Sequence, residues 1–203
     1  MSYQHIFLQS IFLYPIFDAN LKSFTLNGLE NLANLDGPVI FVANHNSHAD
    51  TVAILRALPN RLKERLVIAA AEDYFYRNRF LGNCVSALLN IFPFDRYNVR
   101  KSLSDSQRLL EEGNSMLIYP EGSRDLRKKS FKRGFAILAA ECNLPVVPIH
   151  ISGTAEMLPK GQKYPTAQHV TVSFGEPVYV SRKTTKSSVV TIEHAIRGMQ
   201  KPA

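Results

Sequence analysis

Two groups of residues in this 203-residue chain have types and spacings suited to chemistry. The first is Asn44-His45-Asn46-Ser47-His48-Ala49-Asp50. A neutral imidazole can take a proton from a hydroxyl, and a carboxylate can hold its tautomer and stabilise the imidazolium. His45 and Asp50 stand five apart, whereas helix neighbours lie three or four apart. The two can meet only across a turn or through the first turn of a helix. Two other readings stand beside this one. Asn46 or Ser47 can cap a helix whose N-terminus Asp50 complements. His45, His48 and Asp50 can ligate a metal, but no second ligand cluster of suitable spacing accompanies them, so no metal is expected.

The second group is Pro120-Glu121-Gly122-Ser123-Arg124, followed by Arg127, Lys128, Lys129, Lys132 and Arg133, with Asp125 among them. Gly122 lets a turn approach a ligand closely. Arg124 can grip a phosphate through two parallel hydrogen bonds. A solvated loop is the plain alternative for such a charge run, but its place directly after an apolar strand favours phosphate binding.

Both groups need a scaffold that ends strands in polar turns. Val39–Val42, Leu66–Ala71, Met116–Tyr119 and Val146–Ile151 read as buried strands, being short apolar runs bounded by turn residues. Phe24–Gly28 and His169–Phe174 read as further strands, and Ile91–Arg96 as one that delivers Asp95 and Arg96 to a sheet edge. Helices are expected over Thr51–Leu58, Asn83–Leu89, Val99–Glu112 (with Gly113 as its stop), Gly134–Cys142 and Ser187–Gln200. Strands alternating with helices predict a single α/β domain with a mixed, mostly parallel sheet covered by helices, and a site at the strand C-terminal ends. His150, inside an apolar strand, reads as a core histidine. Cys84 and Cys142, both in apolar surroundings, read as buried, inert thiols rather than a disulfide framework.

Hydrophobic residues make up 45% and charged residues 20%, the balance of a globular protein. The net charge of +7 favours anionic partners, phosphate compounds or anionic lipid surfaces. No zinc-finger spacing, RNA-binding aromatic signature or long basic arm is present, so nucleic acid is not expected as a partner. Ile6–Phe17 is apolar and aromatic but shorter than the roughly 20 residues a bilayer span needs. It suits either a segment lying in a membrane interface or a packing helix. Residues 1–20 are accordingly read as an apolar N-terminal segment and 21–203 as the main domain. Aromatics alternate with arginines in Tyr74–Leu81, which suits either a lipid-facing surface or an amphipathic helix packed on the core.

Four blocks together carry a family resemblance: Asn44–Asp50, Phe92-Pro93-Phe94-Asp95-Arg96, Tyr119–Arg124 and Val146-Val147-Pro148-Ile149. In this order the chain resembles the lysophospholipid and glycerol-phosphate acyltransferases of the PlsC type, over roughly residues 24–180. It departs mildly, with Tyr119 where Phe is usual, Ser123 where Thr is common and Asp125 where Ser is frequent. The resemblance implies a glycerol-3-phosphate acyltransferase-like fold. It also implies transfer of an acyl group from acyl-CoA or acyl-carrier protein to a hydroxyl of 1-acyl-glycerol 3-phosphate. In that reading His45 is the general base, oriented by Asp50. Glu121, Gly122, Ser123 and Arg124, with Arg96 and Lys132, form the acceptor phosphate site. The thioester is a co-substrate, so no cofactor is expected, and the enzyme would sit peripherally on the cytoplasmic face of a membrane. The same chemistry on glycerol 3-phosphate or another lysolipid is the nearest alternative. A non-catalytic phosphate-binding membrane module is the alternative of a different class, and the His45/Asp50 pair argues against it, because binding needs no base.

Overall fold

A computed structural model describes residues 3–71, 88–122, 130–159, 161–162 and 164–200. Ser123, Arg124, Arg127, Lys128, Lys129, Cys84 and the Tyr74–Leu81 segment lie outside the described residues.

The sheet grows from the apolar runs. Strands β1 (Leu21–Asn27), β2 (Ile40–Ala43), β3 (Leu66–Ala71), β4 (Ile91–Phe94), β5 (Ser115–Ile118), β6 (Pro145–Ser152), β7 (Gln168–Phe174) and β8 (Val178–Tyr179) form one sheet of order β1-β7-β6-β2-β5-β3-β4. The neighbours β6, β2, β5, β3 and β4 are mutually parallel, as are β1 and β7. Among the described residues, only β7 and β8 run antiparallel to their neighbour β6, along Ile149–Ser152 and Pro145–Val146 respectively. The central strand β2 is wholly buried, with Phe41 and Ala43 facing one core and Ile40 and Val42 the other. A strand buried on both faces has no polar side to alternate with, which explains its continuous apolar sequence.

Helices cover both faces. One core takes Ala53, Ile54 and Ala57 of α3 (Ala49–Ala57), Leu62 of the short α4 (Asn60–Lys63) and Met157 of the one-turn α7 (Thr154–Met157). The other takes Leu110 of α5 (Val99–Glu111), Phe135 and Leu138 of α6 (Gly134–Cys142), and Val189, Ile192 and Ile196 of α8 (Thr185–Gly198). Helix α3 starts two residues before the expected Thr51, which puts Asp50 in its first turn. His48, rather than Asn46 or Ser47, occupies the flanking position. His150 is buried in β6, where burial lowers its pKa and favours the neutral ring. Cys142 is half-buried at the end of α6 rather than buried, because that end of the helix reaches solvent beside Glu141. Burial, with Glu111 and Glu141 nearby, raises its thiol pKa and keeps it protonated.

The N-terminal segment is α1 (Tyr3–Leu8), a π-helical turn (Gln9–Leu13) and α2 (Tyr14–Asp18). It packs on the domain on one side and exposes apolar side chains on the other. Gln9 is buried and donates to the Leu88 carbonyl at 2.9 Å, and its amide oxygen accepts from Tyr14 Oη at 3.0 Å. Tyr14 Oη also reaches the Leu55 carbonyl of α3, and its ring carries the Arg56 and Lys63 cations at 5.7 and 5.4 Å. On the other side Phe7, Ile11, Phe12 and Ile16 are each about half exposed or more, from 49% to 64%. No helix among the described residues is long and apolar enough to cross a membrane.

Candidate active site

The site forms where β2, β4, β5 and β6 end. Asn44 follows β2 directly, and its side chain pairs twice with the backbone of Ile151 in β6. Its Nδ2 donates to the Ile151 carbonyl at 2.9 Å, and its Oδ1 accepts from the Ile151 N–H at 2.8 Å. The paired strands thus extend one residue past their ladder, and the chain is delivered into the turn at His45.

That turn brings His45 and Asp50 together. His45 Nδ1 lies 2.9 Å from Asp50 Oδ2. The same oxygen accepts the backbone N–H groups of Asn46 at 2.7 Å and Ser47 at 2.8 Å. Asn46 and Ser47 therefore do not cap the helix; instead the Asp50 carboxylate serves both of their amides and the imidazole. Asp50 is fully buried, and a carboxylate only accepts, so the proton between it and His45 sits on Nδ1. Nε2 is then the nitrogen that can accept a proton. No group of three or more His, Cys, Asp or Glu residues suited to a metal occurs among the described residues.

The third block reaches the same turn. The Tyr119 ring stacks on the His45 imidazole with centroids 4.0 Å apart and planes 22° apart. Tyr119 Oη meets Thr51 Oγ1 at 2.8 Å. Burial, and then the Asp50 charge, push the Tyr119 phenol well above its usual pKa, so it stays neutral. The Glu121 carboxylate takes a hydrogen bond from the His45 backbone N–H, and burial raises its pKa despite that bond. Glu121 thus braces the His45 turn.

The second block joins through Arg96, whose guanidinium donates to the Gly122 carbonyl. Asp95 shapes the preceding loop, its carboxylate accepting from the Tyr97 N–H at 2.7 Å and its own N–H donating to Ser102 Oγ at 2.9 Å. Gly122 has φ +68, and a Cβ there would come within 2.9 Å of Lys132 Nζ. Arg96 and Lys132, 36 positions apart in the chain, are therefore both brought to the turn at Gly122. Of the residues expected from sequence, His45, Asp50, Glu121, Gly122, Arg96 and Lys132 cluster here, while Ser123 and Arg124 lie outside the described residues.

The fourth block contributes beyond its own residues. Past β6, Thr154 Oγ1 donates to Asp50 Oδ1, and Ser47 Oγ donates to the Leu158 carbonyl at 2.9 Å. Neither Asn44 nor Thr154 stood out as a site residue in the sequence. An Asn beside the His at a strand end was the available signal for the first; the second had none.

The chain resembles known proteins in sequence and in fold. A sequence model described as Acyltransferase matches residues 23–152. A chloroplastic 1-acyl-sn-glycerol-3-phosphate acyltransferase of Arabidopsis thaliana is 31% identical over 159 residues, 76% of this chain and 41% of that protein. A chloroplastic counterpart from Brassica napus is 30% identical over 180 residues, 85% of this chain and 48% of that protein. The chain thus spans less than half the length of these two relatives. The crystal structure of the 1-acyl-sn-glycerophosphate acyltransferase PlsC from Thermotoga maritima shares the fold, with TM-score 0.73 at 22% identity, over 98% of this chain and 82% of that one. With the family's sequence pattern over most of its length, the chain belongs to the PlsC-type acyltransferase family.

Proposed function

We propose that this chain transfers a fatty acyl group from an acyl thioester, acyl-CoA or acyl-carrier protein, to the free hydroxyl of 1-acyl-glycerol 3-phosphate. The observation that carries the reading is the His45–Asp50 pair, an imidazole still partly open to solvent backed by a fully buried carboxylate. In the reaction His45 Nε2 takes the acceptor's hydroxyl proton as that oxygen attacks the thioester carbonyl carbon. The imidazolium is stabilised by Asp50. Collapse of the tetrahedral intermediate breaks the C–S bond, and the departing thiolate takes the proton back from His45. No covalent enzyme intermediate is required. Arg96 and Lys132, converging on Gly122, supply the positive charge that would hold the acceptor's phosphate, with Arg124 as a third cation from the same block.

The names of the plant relatives support the acceptor, and the chemistry applies equally to glycerol 3-phosphate and other lysolipids. In this reading the protein works peripherally on the cytoplasmic face of a membrane. The exposed Phe7, Ile11, Phe12 and Ile16 enter the lipid interface, and the net charge of +7 favours an anionic surface.

The deciding experiment offers labelled acyl-CoA and acyl-carrier protein with lysophosphatidic acid, glycerol 3-phosphate and other lysolipids, with His45→Ala as control. Product from wild type that disappears in the variant supports the reading. Near-normal turnover in His45→Ala would overturn the base assignment. Transfer to no acceptor by wild type would leave a phosphate-binding module.

A further inference from the structure

Asp50 can act behind His45 only if its carboxylate plane is fixed, because the terminal torsion of an aspartate is broad and roughly two-fold. One oxygen, Oδ2, is held by the Asn46 and Ser47 amides as well as by His45. The other, Oδ1, is equally buried and accepts the Thr154 hydroxyl. Thr154 is itself buried, 1% exposed, so water does not substitute for it. A carboxylate has no proton to give, so the hydroxyl is the donor.

The backbone around Thr154 is held for this contact. Gly153 has φ +85, and a Cβ there would lie 1.9 Å from the His169 carbonyl oxygen, so the chain passes tightly against β7 before α7 begins. At the far end of α7 the Leu158 N–H bonds to the Thr154 carbonyl at 3.0 Å, while the Leu158 carbonyl accepts from Ser47 Oγ. The His45–Asp50 turn and the α7 turn are thereby pinned at two points, Asp50 to Thr154 and Ser47 to Leu158.

We infer that Thr154 is a positioning residue for the acyl transfer, locking the Asp50 carboxylate so that Oδ2 faces His45 Nδ1. This rests on the catalytic reading of His45 and Asp50 given above. The fourth block then has a stated job: it carries β6 to the place where a hydroxyl can reach the back of the carboxylate.

The test uses Thr154→Val, which keeps the branched shape and removes the donor, and Thr154→Ser, which restores it. With unchanged circular dichroism, Thr154→Val should lower kcat about tenfold or more, leaving KM for donor and acceptor within about twofold. Thr154→Ser should recover to within about threefold of wild type. In the His45→Ala background, adding Thr154→Val should leave the residual rate unchanged, since residues acting as a unit are not additive. A further additive loss there would show a merely structural role and overturn the inference, as would normal kcat in Thr154→Val. A second readout does not depend on turnover. The proton resonance of His45 Nδ1–H should move in Thr154→Val and stay in place in Thr154→Ser. An unmoved resonance in Thr154→Val overturns the positioning role even if no acyl acceptor is found, whereas failure of the catalytic reading alone would appear as His45→Ala retaining activity.

Discussion

The Tyr119 ring lies flat against the His45 imidazole, 4.0 Å between centroids, while its hydroxyl holds Thr51 one residue beyond Asp50. One side chain therefore touches both ends of the His45–Asp50 turn. The ring restricts how the imidazole can swing, and the hydroxyl ties that ring to the first turn of α3.

Separating the two contacts gives a first prediction. Tyr119→Phe keeps the stack and loses the hydroxyl pair. It should cost about 1 kcal/mol in urea-unfolding stability and leave kcat within a few-fold. Tyr119→Leu removes the flat surface and should lower kcat at least about tenfold. Equal kcat in the two variants would show that the stack does not position His45.

Asp50→Asn replaces an acceptor-only group with an amide. Its NH2 cannot accept from the Asn46 and Ser47 amides, and its Oδ1 cannot serve every donor now shared by two carboxylate oxygens. Turnover should fall by about three orders of magnitude or more. Unfolding should become easier by about 1–3 kcal/mol, the cost of an unsatisfied buried group. A kcat measurement paired with a denaturation midpoint checks both.

Glu121 gives a pH dependence with a definite sign. Burial raises its carboxyl pKa in the folded protein above the ordinary 4.5. The folded state therefore holds this proton more tightly than the unfolded one. Its contribution to stability is fully present below the ordinary value and is lost as pH rises through the folded value. Glu121→Gln cannot ionise yet still accepts from the His45 N–H. Its stability relative to wild type should improve as pH climbs from about 4.5. A constant difference across that range, read from denaturation midpoints, would contradict the assignment.

Arg96 and Lys132 should act on the acceptor alone. Arg96→Ala or Lys132→Ala should raise the acceptor KM about tenfold or more, with the donor KM nearly unchanged. A parallel rise in both KM values would place these cations at the donor instead.

Much of this arrangement was legible in the chain because the central strands have a distinctive pattern. Ile40–Val42, Met116–Ile118 and, but for His150, Val146–Ile151 are apolar because both faces are buried, and each runs straight into polar residues. Those junctions are where His45, Tyr119–Gly122 and Thr154 sit. Two kinds of feature were not legible. The antiparallel placement of β7 and the two-residue β8 depends on how β6 shares its edge, which no local pattern encodes. Thr154 looks like any threonine after a glycine, since its partner is Asp50, 104 positions away. Gln9 was hidden in the same way, as a polar residue in an apolar run whose burial follows from contacts with Tyr14 and Leu88.

The pairing of Asn44 with Ile151 spans 107 positions, and the Thr51–Tyr119 contact spans 68. Contacts between such distant stretches form only after long loops have closed, and chains dominated by them fold slowly. Helices α5 and α8 are local and can form early, but the His45 turn acquires its partners only when β5 and β6 have both docked on β2. During renaturation, catalytic competence should therefore return later than helical ellipticity, making enzymatic activity a late reporter of assembly for this chain.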